Sequence, residues 1–551
     1  MGYSGQPIVI PCGAGGLNCN RNLGAVPITD MVSGSRNLNL HEGGRKKRGG
    51  TSHINGSAID SGARIYGLFD YLKPAGTQYI VFATSGKVWK NATTTIKTGW
   101  TASKHVWFSE FDGELYACNG SNSPGKWDGT TWTDLTDVPS DWSSNNPKYM
   151  ITHGRGNSER NWAFGCPSKP YNIYVSPNGD GDDFSDADVK TLTVDTKDGY
   201  GLMGGIVHLD RLIMFSKTDP WIIDDADVDT SNWGYDKGSW KGGVAHQRLI
   251  IPTPNDIVCV DENLEIYSVS AAEQYGDYKA ASIARPAFIH NWIKDNVREA
   301  YIANFHGVYD PLLRAIKIFV VRNGQTEIDT ALVYFIDRGP RAGWMIHDNQ
   351  NSASGYDASC SALIYVGAGD NQVYTGDYSG YIWSLETANK HDNSNAFDAG
   401  FKTPNIDNGN PALDKDYKRG RIVCDPQGTE TINVKVWVNS SQIDTPSGAW
   451  ANTTAYAVGD IVTQGAKIYE CIAAHTSATA TNKPGSGSSW TTYWIQHRFS
   501  QTVASGTKDY PFDIGDKGKR TQLEVYNNTV SEDFFIENVV IDLKPLGVKP
   551  G

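Results

Sequence analysis

Six aromatic residues fall between positions 450 and 494: Trp450, Tyr456, Tyr469, Trp490, Tyr493 and Trp494. Aromatic rings held at a surface can take up sugars, because a pyranose presents apolar C–H faces that lose water when they stack on an indole or phenol. A stretch of under fifty residues needs fewer rings than this for its own core, so some are expected to face water and bind carbohydrate. The alternative keeps Trp450, Tyr456 and Trp494 as a miniature core and leaves Trp490 and Tyr493 to meet a ligand.

Two charged runs also could do chemistry. Arg45, Lys46, Lys47 and Arg48 stand together between glycine pairs at 43–44 and 49–50, and four adjacent cations can grip phosphate or an acidic partner, or form a solvated turn. The run Asn178-Gly179-Asp180-Gly181-Asp182-Asp183-Phe184-Ser185-Asp186 alternates oxygen ligands as a calcium loop does, but no Glu follows at the twelfth position. A solvated loop is therefore expected there, and no metal or other cofactor. Paired carboxylates for glycoside cleavage cannot be picked out among 61 acids. The chain has no G-x-S-x-G, H-E-x-x-H or P-loop pattern, and its histidines are scattered singly. His208, within an apolar strand, reads as a structural imidazole. Enzymatic activity is not expected.

The elements that must position these residues are strands. Glycine at 58 residues, with 17 Trp, 27 Tyr and 17 Phe, suits short strands joined by tight turns. A net charge of −12 argues against a coat that neutralises nucleic-acid phosphates, though repelling carboxylates would suit a channel through which DNA slides. Eight cysteines without a C-x-x-C pair indicate neither a zinc site nor a disulfide framework, and free thiols made in a reducing cytoplasm are expected. The first residues lack the pattern of a secretory signal and no long apolar run occurs, so neither export nor membrane insertion is expected.

The predicted fold is all-β: a degenerate β-propeller of six or seven blades, then a C-terminal β-sandwich carrying a small inserted β module. Residues 1–62, rich in Gly, Asn and Ser, read as an extended N-terminal arm. From 63 to 390 a strand–turn–strand unit recurs every forty to sixty residues, first as Ile65–Phe69, Tyr79–Thr84, a Ser85-Gly86 turn and Lys87–Lys90. The one convincing helix spans Pro286–Val297, where Phe288, Ile289, Trp292 and Ile293 share a face. Residues 391–448 and 498–551 read as the sandwich, interrupted by 449–497, an insertion that a surface hairpin tolerates cheaply.

Two resemblances bear on function. The order Trp450, Tyr456, Gly459-Asp460, Val462, then Lys467-x-Tyr469-x-Cys471, then Trp490 and Trp494 resembles the small carbohydrate-binding modules of chitinases, which implies glycan binding by this segment. The arm, with Gly15-Gly16-Leu17-Asn18, Asn37–Leu40 and Glu42–Thr51 ahead of a propeller, resembles the tail nozzle (tail tubular protein B-like) family of short-tailed bacteriophages. That resemblance implies a structural virion protein, assembled in the host cytoplasm into the virion tail. It implies a homo-hexameric ring below the portal and tail adaptor, with tail fibres outside and genomic DNA passing through without sequence specificity. Arg45, Lys46, Lys47 and Arg48 would then serve as a subunit contact. Host surface glycan is a further expected partner. The rival readings are a glycan-degrading enzyme and a monomeric lectin.

Overall fold

A computed structural model describes residues 7–154, 158–197, 199–348, 355–428, 430–442, 447–458, 460–465, 467–497, 500–503 and 508–546. The described residues are strands and turns almost throughout. Two compact units divide the chain: Gly49–Pro340 with His347–Asn393, and the residues up to Arg48 with Arg341–Ile346 and those from Ser394 on.

The first unit is a ring of seven small antiparallel sheets. The first sheet runs Gly67–Leu72, Gln78–Thr84, Lys87–Lys90, Thr94–Lys97, and the second Trp107–Phe111, Glu114–Cys118, Gly125–Trp127, Trp132–Asp134. The third begins at Tyr149–His153, the fourth at Gly204–His208, the fifth at Ile250–Pro252, the sixth at His306–Asp310 and the seventh at Cys360–Gly367. Each leading strand touches the next, and the seventh touches the first, so the sheets close as the blades of a propeller. Hairpin chemistry sets the blades: at Asp112-Gly113 both residues have positive φ (45° and 71°), the twist that a two-residue turn between right-handed strands requires.

Aromatic and aliphatic side chains fill the wedges between blades. Trp162, Phe164, Leu212, Met214 and Trp221 form one buried cluster, and Tyr71, Val81, Leu115 and Trp127 another. Such layers explain the aromatic richness of the sequence, because a wedge widens outward and large rings fill it.

The fifth blade departs from the pattern. It has three strands, and its last, Ile266–Ser268, runs into a helix, Val269–Tyr275, capped by the Ser268 hydroxyl accepting from Ala271 N and ended by Gly276 at φ 72°. The expected helix is present as Ile289–Asn296 with Ile289, Trp292 and Ile293 buried, but Phe288 caps it in a left-handed conformation instead of sharing its face.

The second unit corrects the reading of residues 1–62 as an extended arm. Pro7–Pro11, Leu38–His41 and Gly44–Lys47 are strands of a six-stranded sheet with Phe535–Pro545, Lys415–Cys424 and Asp509–Gly518. Ile10, Leu38 and Leu40 are buried, so these short polar-looking segments do contribute core. Gly50–His53, by contrast, belongs to the propeller: it pairs with Ile382–Thr387 as the fourth strand of the seventh blade. A five-stranded sheet, built from Ala399–Lys402, Thr521–Asn527, Glu430–Val438, Ser441–Gln442 and Ser500–Val503, completes the second unit. In Glu430–Val438 every second residue is buried, the period-two signature of a sheet with one covered face. Both Ser441–Gln442 and Ser500–Val503 pair with that strand, and the inserted module is the excursion between them.

Candidate functional site

The insert builds its own small sheet from Gly448–Ala449, Ile461–Gln464, Lys467–Cys471 and Trp494–His497, with a second pairing of Ala455–Tyr456 to His475–Thr476. Its turns are held by side chains as well as backbone. Asp460 Oδ2 accepts from Ala457 N at 2.7 Å, and Ser477 Oγ accepts from Thr454 N while donating to Ala451 O. Gly459 of the expected motif lies outside the described residues.

Three of the six singled-out rings form the core. Tyr456, Tyr469 and Trp494 are buried together with Val462 and Cys471. Trp494 stands edge-on to Tyr456 at 4.9 Å, and its Nε1 donates to Asn482 O at 2.8 Å. The Tyr456 hydroxyl accepts from Ala451 N at 2.8 Å. With their faces covered, and the polar atoms of Tyr456 and Trp494 engaged, these three cannot stack on sugar, and the reading of them as carbohydrate-binding residues is corrected accordingly. Among the described residues only Val462 and Cys471 join them in that core, so a module this small relies on these rings to exclude water.

Trp450, Trp490 and Tyr493 pack against that core but remain half-exposed. Trp490 meets the Tyr469 edge at 5.6 Å with the rings nearly perpendicular, and Tyr493 leans on His475 at 4.6 Å. Each is thus braced on one side by a buried ring or imidazole. Trp450 has the Lys483 ammonium 5.8 Å from its ring centre, and its indole N–H has no hydrogen-bond partner among the described residues. The structure therefore divides the aromatics differently from the alternative raised by the sequence: Trp450 belongs with Trp490 and Tyr493, and Tyr469 with the core. Braced, half-open rings can stack on a pyranose at little entropic cost.

The basic run is placed elsewhere than expected. Arg45, Lys47 and Arg48 are fully buried within the second unit, and only Lys46 is partly open, near Asp533 at 3.4 Å. Arg45 donates to Thr29 O at 2.6 Å and lies over the Phe401 ring. Lys47 donates to Asn527 Oδ1 at 2.9 Å, and the Arg48 guanidinium sits 3.8 Å from the Phe397 ring centre while its Nε donates to Asn37 Oδ1. Carbonyls and aromatic faces have replaced water around these cations. The run ties the N-terminal strands into their sheet and is not available as a subunit contact.

The acidic run lies in a connection of the third blade. Its Asp182 accepts a salt bridge from Lys126 at 2.8 Å, Asp183 caps Ser185 N, and Phe184 is buried. All eight cysteines are buried thiols. His208 is the last residue of its strand, half-buried at a hairpin and not inside it.

Sequence reasoning missed a cavity of about 550 Å³ beside the fifth blade, lined by Asp261, Glu265, Tyr278, Arg285 and His290 among others. Burial raises the Asp261 carboxyl, whose Oδ1 accepts from Asn263 N and Glu265 N, and Glu265 is held by Arg285 at 2.5 Å. Both carboxylates thus hold local chain, and 24 residues separate Arg285 from Asp261 in sequence, which hides their proximity from any local motif.

Residues 449–494 match carbohydrate-binding module family 5/12. No curated protein matches the chain. Similar solved structures include BBS1N in complex with ARL6DN (10% identity, TM-score 0.37, covering 64% of this chain and 98% of that one). A computationally designed protein, Ika8, shares 12% identity at TM-score 0.30, covering 60% and 98%. The extracellular domain assigned to a hybrid two-component system, BT3049, of B. thetaiotaomicron shares 11% identity at TM-score 0.39, covering 84% and 60%. At that distance these likenesses say nothing about function. Among the described residues no helix is long and apolar enough to cross a membrane.

Proposed function

We propose that the chain is a glycan-binding protein whose inserted module, 449–497, holds it to a polysaccharide through Trp450, Trp490 and Tyr493. The observation that carries this reading is the division of labour among the aromatics. Tyr456, Tyr469 and Trp494 already fill the core of a segment that matches a carbohydrate-binding family, so the three half-exposed rings are surplus to folding. Covering roughly 50 Å² of sugar C–H face by one ring contributes about 1.3 kcal/mol, and three such rings give the weak, multi-contact adhesion that suits a repetitive polymer. The reading contains no catalytic step.

The test is retention of the full chain on insoluble chitin and cellulose. Retention that falls with Trp450→Ala, Trp490→Ala and Tyr493→Ala supports the assignment. Equal retention of the triple variant would refute it. Release of reducing sugar from the polymer would instead favour the glycan-degrading rival.

A second reading, a ring-forming subunit of a short-tailed bacteriophage tail, rests on the sequence order Gly15–Asn18, Asn37–Leu40 and Glu42–Thr51 ahead of a propeller. The buried basic run no longer supplies its subunit contact. Native mass measurement decides it: a stable monomer excludes the ring, and a hexamer supports it.

A further inference from the structure

The leading strands of the propeller surround a cavity of about 400 Å³, lined by Tyr66, Phe108, Gln247, Arg248, His306 and Ser361 among others. Arg248, in that lining, and Arg64 converge on Asn304. Arg64 Nη2 donates to its side-chain oxygen at 3.3 Å, and Arg248 Nη1 to its carbonyl at 3.5 Å, with Arg248 also reaching Ala303 O. Neither makes an ion pair among the described residues. Arg64 lies instead over the rings of Tyr66 and Tyr378, and its Nε is buried without a hydrogen-bond partner.

Within the described lining of the cavity, little offsets this charge. The carboxylate that lines the cavity, Asp70, accepts from Gln78 Nε2 and Tyr365 N. It stands four residues beyond Tyr66, roughly 13 Å along an extended strand. The neighbouring imidazoles cannot help either. Burial and the Arg248 charge push His306 and His246 down to about 3, so both are neutral. Burial also pulls the Arg248 guanidinium down to about 10. Both guanidinium groups are half-buried and lack an ion pair among the described residues, so an anion entering the cavity would give Arg248 the counter-charge it lacks.

We propose that this propeller cavity is a binding site for a small organic carboxylate of sugar size, a uronic acid, with its carboxylate on Arg248 and its ring against the walls. The planar fork of a guanidinium matches a carboxylate in a bidentate arrangement. Leu68, Phe108 and Ile250 give the cavity an apolar wall, which favours an organic body over a bare inorganic ion. The site is independent of the inserted module.

Calorimetric titration of the full chain tests it, using the Trp490→Ala background so that the module contributes little. The titrants are glucuronate, glucose and inorganic phosphate. Glucuronate should bind at one per chain, with glucose and phosphate each at least ~10-fold weaker. Arg248→Gln and Arg64→Gln should each weaken glucuronate by ~10-fold or more, with Arg248→Lys losing less. Absence of glucuronate binding, or glucose binding as tightly, overturns the proposal. Phosphate binding as tightly overturns the sugar assignment. Should Arg248→Gln fail to fold, unchanged affinity in a folded Arg64→Gln protein overturns it as well.

Discussion

Replacing Lys317 by Met should destabilise the propeller at the junction of the sixth and seventh blades. The Lys317 side chain is wholly buried, with its ammonium 2.5 Å from Asp310 Oδ2 and 3.4 Å from Glu386 Oε1. Glu386 is in turn held by the Tyr356 hydroxyl at 3.2 Å and by Gly49 N at 2.8 Å. Met keeps the volume but strands two buried carboxylates without their cation. Removing one partner of a buried pair costs about 3–5 kcal/mol, which for a unit of this size is a loss of roughly 4–7 °C in Tm.

Burial pulls the Lys317 ammonium down, but Asp310 and Glu386 outweigh it and its pKa is raised. A base raised on folding contributes stability that is complete below its unfolded value of about 10.4 and lost as pH climbs through the higher folded one. The gap between native and variant should thus be flat from about pH 6 to about pH 9. Tryptophan-fluorescence melts across pH measure it, and Lys317→Met/Glu386→Gln should recover part of the loss. A Lys317→Met protein within ~1 kcal/mol of native at pH 7 would show that the network holds nothing together.

Further outcomes follow from other sites. Trp490→Ala should weaken polysaccharide binding about 5- to 30-fold, the effect of losing 1–2 kcal/mol, with melting of the whole chain unchanged; Tyr456→Ala should abolish binding by unfolding the module, seen as early proteolysis between 449 and 497. Gly50→Val should open the seventh blade, because a Cβ there would lie 2.1 Å from His391 O; limited proteolysis should then cut near residue 50. His306, held neutral, contributes stability that is present above about pH 6.5 and lost as pH falls toward its folded value, at about 1.4 kcal/mol per pH unit. His306→Gln should flatten that limb of a stability–pH curve.

The propeller was legible because each blade repeats a local signal. Alternation in Tyr79–Thr84 and Leu115–Ala117, with turns at Ser85-Gly86 and Asp112-Gly113, specifies hairpins from neighbouring residues alone, and the structure places strands and turns there. The helix Val269–Tyr275 was equally local, with Ser268 before it and Gly276 after it, but its apolar face is only Val269 and Ala272 and so gives little periodicity. What was illegible depends on distant partners. Leu38–His41 and Gly44–Lys47 are four residues each, too short to show a period, and become strands through Phe535–Pro545. Four consecutive cations read as a subunit contact or a solvated turn because the rings that cover Arg45, Lys47 and Arg48, namely Phe397 and Phe401, are some 350 residues away. In the module, six aromatics announced a carbohydrate-type segment, yet which rings lie inside depends on the three-dimensional order of its strands: Tyr469 lies in the core and Trp450 outside it.

The strand Gly50–His53 has a bearing on how the chain is made. Ser52 meets Ser384, 332 residues later, so an emerging polypeptide exposes an unsatisfied edge until the ribosome has delivered the last blade. Once blade seven has emerged, its vacant place takes the strand of its own chain by proximity, and at high concentration of nascent chains a sister chain's strand competes for the same edge.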